Sequence, residues 1–211
     1  MPDLKNNPLR IGILLSGEGT SFENLAGLVD SGHVPGKIAL VISSKASAKG
    51  LERAKKRNIP SAAVPRNSYP DVIEFNDRIH ALLEQHNIEF VALLGFLSPF
   101  EPRQRFSGKV INVHPALIPA FSGKGFYGRR VHEAVLARGC KVSGATVHFV
   151  DNNYDQGPII LQEAVPVLEN DSPSSLASRV QAAERRLVPE AIQLYASGRL
   201  QLVGSIVTIS D

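Results

Sequence analysis

The sequence predicts an α/β fold: a Rossmann-like, mostly parallel twisted sheet with helices on both faces and an antiparallel C-terminal portion. Three observations carry this. Short apolar runs alternate with amphipathic helical patterns through the first half of the chain, as βαβ units require. A small-residue loop, Ser16–Ser21 (SGEGTS), sits between the first run and the first helical pattern. From Ser143 onward two strand-like runs flank DNNYDQGP, a segment dense in turn formers, and this implies an antiparallel return.

The elements follow in order. Arg10–Leu15 reads as a strand, and Phe22, Leu25, Leu28 and Val29 mark the apolar face of the helix after it. Lys37–Ser43 repeats the strand signal, Ala46–Asn58 is helical, and Ser61–Val64 is extended. Val72–His86 places Ile73, Phe75, Ile79, Leu82 and Leu83 largely to one side of a helix, and Ile88–Leu94 is a buried strand. Lys109–His114 alternates as a strand until Pro115 and Pro119 take the chain out of the sheet. Ala120–Arg130, rich in glycine and serine, reads as a mobile loop before a helix at Val131–Ala137. Ser143–Val150 and Ile159–Val167 are strands. Ser172 or Ser174 caps a long helix to about Ala196, Gly198 closes it, and Leu200–Ile209 is expected to add an edge strand.

With 211 residues, 43% of them hydrophobic and 20% charged, the chain has the composition of one soluble globular domain. That domain divides at about residues 100–101 into a nucleotide-binding half and a catalytic half. No apolar run approaches the roughly 20 residues that cross a bilayer, and the start of the chain is too polar and brief for a secretion signal, so a cytoplasmic protein is expected. The single Cys140 forms no internal disulfide and reads as a buried small residue. The net charge of +3 is compatible with an anionic ligand. The densest basic stretch, Lys45–Arg57, lacks interleaved aromatics, so it reads as a solvated helix face and not as a nucleic-acid surface.

Two segments carry chemistry. In SGEGTS, small residues let backbone N–H groups approach an anion at a helix N-terminus, with the Thr20 and Ser21 hydroxyls as further donors. Phe22 stands where GxGxxG has its third glycine, and no GK[ST] ending follows, so a phosphate monoester suits the loop better than a dinucleotide. The competing reading is a glycine turn with no ligand, and Glu18 favours it unless its carboxylate points away. The second segment is Ile111–Pro119 (INVHPALIP), followed later by YDQGPII from Tyr154. Asn112 and His114, two apart on a strand, share a side. An amide donor, an imidazole that titrates near neutrality and the Asp155 carboxylate are what acyl transfer needs when the substrate brings its own nucleophile.

SGEGTSFENL, VISSKASAKGLERAKKRNIP, LLGF, INVHPALIP, SGATVHFVDNNYDQGPIILQ and Ser178–Glu184, in this order from about Arg10 to Leu202, resemble the phosphoribosylglycinamide formyltransferases. These are folate-dependent enzymes of purine synthesis. The resemblance implies the formyltransferase fold and formyl transfer from 10-formyltetrahydrofolate to the amine of glycinamide ribonucleotide, with the folate as co-substrate and no metal. By the same resemblance Asn112 holds the formyl oxygen as it becomes an oxyanion, His114 shuttles the proton, and Asp155 stabilises imidazolium and so raises the histidine pKa. Gly19, Thr20 and Ser21 take the substrate phosphate. Glu184, preceded by Gln181, Ala182 and Ala183, binds the ribonucleotide. Leu97, Ser98, Pro99 and Phe100 line the folate pocket with Asp151, Asn152, Asn153, Tyr154, Asp155 and Asn112. His148 falls at a family histidine and is equally open to a packing role inside its strand.

This chain departs from the family in several places. Thr20 and Ser21 stand where many members have Ser-Asn. The arginine that aligns near Val72 and a basic residue near Ser98 are missing, and Arg66, Lys124, Arg129 or Arg130 are the available replacements. The stretch between LLGF and INVHP is also short. Partners implied are the two small molecules, with no nucleic acid and no membrane, and a monomer or homodimer. Three other functions compete with this reading. A 10-formyltetrahydrofolate hydrolase would use the same triad with water, but resembles longer chains with an N-terminal regulatory domain. A methionyl-tRNA formyltransferase would need a C-terminal RNA-binding extension. A Rossmann-type nucleotide-binding module would leave Asn112, His114 and Asp155 without a task.

Overall fold

The computed structural model describes residues 8–210, which fall into two compact units divided between Val110 and Ile111. In the first unit the elements are β1 (Arg10–Leu15), α1 (Thr20–Asp30), β2 (Lys37–Ser43), α2 (Lys49–Lys56), β3 (Ser61–Ala63), α3 (Val72–Gln85), β4 (Phe90–Leu93) and α4 (Arg103–Phe106). The strands pair in the order β3-β2-β1-β4, all parallel. The continuous apolar runs ILL, ALVI and FVAL account for this, since strands of a parallel sheet are covered on both faces. Ile13, Leu14, Leu15, Val41, Ile42, Phe90 and Val91 are fully buried, against Phe22 and Leu25 of α1 and Phe75, Ile79 and Leu83 of α3 among the core residues. Asp71 caps α3 by accepting from the Glu74 N–H at 2.8 Å.

In the second unit, β5 (Val110–His114), β6 (Val142–Phe149) and β7 (Ile159–Pro166) form two antiparallel pairs, β5 with β6 and β6 with β7. α5 (Arg129–Ala137) and the long α6 (Pro173–Ala196) pack together, and α6 also lies against β6 and β7. The Ser172 hydroxyl accepts from the Ser175 N–H while the Ser175 hydroxyl takes the Ser172 N–H. Ser172 is therefore the cap, and Pro173 occupies the first helical position, where its missing N–H costs nothing.

The predicted α/β class and every predicted strand from β1 to β7 are present. Some expectations are corrected. The helix expected over Ala46–Asn58 spans only Lys49–Lys56. The Ser43 hydroxyl bonds both the N–H and the carbonyl of Lys45, which holds the preceding segment in a local turn. The helix after the glycine-rich loop begins at Arg129, two residues early. Leu200–Ile209 is not an edge strand: Gly204, at φ 63°, turns it into a hairpin, β8 (Leu200–Val203) with β9 (Ile206–Ile209), which pairs with itself. Cys140 is half-buried and not buried.

Candidate active site

The side chains at the heart of the site come from β5, β6 and the β6–β7 turn. Antiparallel register sets Asn112 opposite His148 and His114 opposite Thr146, and cross-strand partners share a face. Asn112 Nδ2 lies 3.2 Å from His148 Nε2 and 3.4 Å from Asp155 Oδ1. His114 Nδ1 lies 3.4 Å from the other carboxylate oxygen, Oδ2. Thr146, fully buried, stitches the turn after β5 to β6. Its hydroxyl donates to the Ala116 carbonyl at 2.7 Å and accepts from the Ile118 N–H at 3.1 Å.

Asp155 reaches this point from a left-handed residue, φ 55°, a conformation Asp tolerates better than most. Two residues on, a Cβ on Gly157 would collide with the Phe149 carbonyl, so the turn requires glycine there. The Gly123 N–H donates to Asp155 Oδ2 at 2.9 Å and ties the glycine-rich loop to the carboxylate.

Backbone carbonyls fix both tautomers, because a carbonyl only accepts. His148 Nδ1 is 2.8 Å from the Phe149 oxygen and so carries its proton there. Its Nε2 lone pair then accepts from Asn112. His114 Nε2 is 2.8 Å from the Phe121 oxygen, so its proton sits on Nε2. Neutral His114 therefore turns a lone pair toward Asp155, and the contact becomes attractive only when Nδ1 is protonated.

Burial disfavours that charge more strongly than the carboxylate and the Phe121 carbonyl favour it, and His114 titrates below its ordinary value. Asp155 does pull the histidine pKa upward, as expected, but desolvation outweighs that pull. Burial also opposes ionisation of Asp155 itself. The neighbouring His148 and His114 rings and the Gly123 N–H nevertheless hold the carboxyl below its usual range. His132, buried on α5, is likewise lowered by burial and then by the nearby charge of His114.

In the first unit, Gly19 precedes α1 in the left-handed region at φ 72°, and a Cβ there would meet the Gly50 Cα at 2.7 Å. The loop is held from α2: the Gly50 N–H donates to the Gly17 carbonyl at 3.1 Å and Arg53 Nε to the Glu18 carbonyl at 2.8 Å. No side chain caps α1, so the first-turn N–H groups beyond Gly19 have no capping oxygen. Glu18 pairs with Lys49 at 3.1 Å, which compensates the carboxylate that stood against an anion site. Two arginines on and just after α2 are also paired, Arg53 with Glu23 and Arg57 with Glu23 and Asp30.

The remaining predicted residues occupy varied environments. Leu97 is exposed and Ser98 and Pro99 are half-buried, but Phe100 is buried with its ring stacked on His80 at 5.4 Å. Its side chain belongs to the core and does not line an open pocket. Asn152, Asn153 and Tyr154 are exposed, and the Asn153 N–H bonds to Asp151 Oδ1 at 2.7 Å. On α6, Gln181 is exposed and Ala182 half-buried, whereas Ala183 is fully buried and serves packing. Glu184 is half-buried, and loss of hydration pushes its pKa up to about 7.

Of the offered basic replacements, Arg66 donates to the Tyr69 carbonyl and lies over the Phe75 ring, Arg129 pairs with Glu133, and Arg130 lies over Tyr127. Among the described residues no cluster of three or more His, Cys, Asp or Glu gathers to hold a metal ion. The sequence carried no signal for the Phe121 carbonyl or the Gly123 N–H, nor for the contact of His148 with Asn112. Only the strand register, with Asn112 facing VHF, could have indicated that contact.

An amide, two imidazoles of fixed tautomer and a carboxylate gather around one point, a set of groups suited to acyl transfer. The chain belongs to the formyl transferase family, whose pattern matches residues 9–192. Within that family the resemblance to the phosphoribosylglycinamide formyltransferases holds over nearly the whole chain. The phosphoribosylglycinamide formyltransferase of Haemophilus influenzae is 36% identical over 195 residues, covering 92% of this chain and 90% of that protein. The crystal structure of glycinamide ribonucleotide transformylase 1 from Symbiobacterium toebii superposes with a TM-score of 0.91 at 39% identity, covering 96% of this chain and 94% of that one. The human trifunctional purine biosynthetic protein adenosine-3 is 41% identical over 200 residues, 92% of this chain. This chain spans about a fifth, 19%, of its length.

Proposed function

We propose that this chain transfers the formyl group of 10-formyltetrahydrofolate to the amine of glycinamide ribonucleotide, its two units serving as halves of one formyltransferase domain. The convergence of Asn112, His114, His148 and Asp155 around one point carries the reading. The substrate amine attacks the formyl carbon, a C–N bond forms, and the carbonyl electrons move onto oxygen. Asn112 Nδ2 stabilises that oxyanion. Its present hydrogen bonds, at 3.2 and 3.4 Å, are long for N–H donors and exchange readily for a charged acceptor. Collapse of the adduct expels the folate nitrogen. The proton lost by the amine passes through His114 to that nitrogen, leaving tetrahydrofolate and the formylated ribonucleotide. A lowered pKa keeps His114 neutral and able to accept the proton near pH 7, and Asp155 stabilises the transient imidazolium.

The Gly19, Thr20 and Ser21 loop takes the phosphate, Glu184 with Gln181 binds the ribonucleotide, and Leu97–Pro99 with Asp151–Asp155 receive the folate. The reaction needs no metal and no nucleic acid. We place the protein in the cytoplasm as monomer or homodimer; no helix among the described residues is long and apolar enough to cross a membrane. The test is tetrahydrofolate release by purified protein with glycinamide ribonucleotide, water or initiator tRNA as acceptor. Release that depends on the ribonucleotide supports the reading, and equal rates with and without it would overturn it in favour of hydrolysis.

A further inference from the structure

Two buried polar side chains on α3 have no part in the chemistry above. Asn76 is fully buried and His80 nearly so, and each requires a reason for its desolvation. Both bond to the backbone of the segment Leu97–Glu101. Asn76 Oδ1 accepts from the Glu101 N–H at 3.0 Å, and its Nδ2 donates to the Val72 carbonyl at 2.9 Å and, more weakly, to the Pro99 carbonyl at 3.4 Å. His80 Nε2 donates to the Glu101 carbonyl at 2.8 Å, and its ring stacks on Phe100 at 5.4 Å and 17°. At the other end of the segment, the Leu97 N–H donates to Ser16 Oγ at 2.9 Å. The segment has no regular secondary structure, so these bonds replace a strand or helix ladder. They anchor it at both ends, turn Phe100 inward, and leave the Leu97 side chain, 52% exposed, to face outward.

We infer that Asn76 and His80 are positioning residues that hold Leu97–Glu101 in the shape that receives the folate. Neither touches the substrate. Each acts through backbone groups that an unsupported loop would turn to water, and the cost appears in folate affinity and not in the phosphate loop. The inference rests on the proposed function, because it takes this segment to be part of the folate site.

The test measures the Kd of 10-formyl-5,8-dideazafolate, a stable folate analogue, by calorimetry, together with the KM for glycinamide ribonucleotide and the Tm. Three variants are compared: Asn76→Leu, His80→Phe and His80→Gln. His80→Phe keeps the stacked ring and removes only the donor, so it carries the comparison should Asn76→Leu fail to fold. Losing one or two buried hydrogen bonds should weaken analogue binding roughly tenfold in His80→Phe and more in Asn76→Leu. The ribonucleotide KM should stay within about twofold, and His80→Gln, which restores a donor, should recover most of the loss. Analogue affinity unchanged in folded His80→Phe would overturn the inference, as would equal shifts in both substrates' constants. Absence of analogue binding to the unaltered protein would instead overturn the folate reading, and the inference with it.

Discussion

The loop at Gly19–Ser21 and the cluster around Asn112 belong to one proposed reaction but are made of different material. The loop is backbone: its glycine adopts a conformation closed to most residues, and the neighbouring Arg53 grips the Glu18 carbonyl as well as pairing with Glu23. The cluster is side chain: four polar groups from three segments, each partly satisfied by another. A backbone site tolerates side-chain variation and fails when a Cβ intrudes. A side-chain site fails one atom at a time. Under the proposed reaction, Thr20 and Ser21 in place of the Ser-Asn of many members should preserve anion binding, whereas a change at Asn112 or His114 should impair transfer.

The largest effects should fall in the cluster. His114→Ala should lower kcat by about 10²–10⁴, the usual worth of a positioned acid–base group, and Asn112→Ala by about 10²–10³, both at saturating substrates. Because Asn112 also bonds to Asp155, Asn112→Ala combined with Asp155→Asn should lose less than the product of the single losses. Near-normal turnover in either single variant would remove that residue from the mechanism. Asp155→Asn should also move the acid limb of the kcat–pH profile further below pH 6.5: it removes the chief influence that favours protonated His114 and leaves desolvation in place. An alkaline shift would show the coupling misread.

The loop gives the next effect. Gly19→Val should raise the ribonucleotide KM about ten- to a hundredfold with little change for the folate, since its Cβ would meet Gly50 and the left-handed conformation costs roughly 1–2 kcal/mol. Equal changes in both KM values would make the loop structural only.

Glu184 sharpens the comparison through stability. Its folded pKa of about 7 stands above the unfolded value of 4.5, so the folded state binds the extra proton between these limits. Stability is present below pH 4.5 and lost as pH rises through 7. Urea unfolding should therefore show Glu184→Gln gaining on the unaltered protein, on the order of 1–3 kcal/mol, between pH 5 and pH 8. A constant difference across that range would mean the carboxyl is not desolvated. The smallest effect is expected at the rim of the loop. Glu18 and Lys49 are well exposed, so Glu18→Gln should change the ribonucleotide KM by no more than about twofold, measured at 0.15 M salt.

The same contrast explains what could be read from the amino-acid order. β2 begins and ends where the apolar run Lys37–Ser43 does, and Asn112 and His114 share a side because strand alternation is a property of neighbours. Gly157 and Gly19 stand where the backbone admits no side chain. By contrast, Leu200–Ile209 reads as one edge strand, and in the structure the turn at Gly204 folds it on itself. Phe100 has the character of a pocket residue until His80 stacks on it. His148 matters because residue 112 lies across from it, a relation between positions 36 apart.

By itself the sequence determined the strands β1 to β7 and most of the helices, together with the types of residue available for catalysis, since each depends on side-chain periodicity or on the conformational range of a single residue. Tertiary structure alone decided the state of those residues. His114 is held neutral and Glu184 is held near neutrality, although a lone histidine beside an aspartate and an exposed glutamate on a helix would both be charged more readily. The physical reason is that protonation depends on how much water each group has lost and which donors face it, and these are set by segments far apart in the chain.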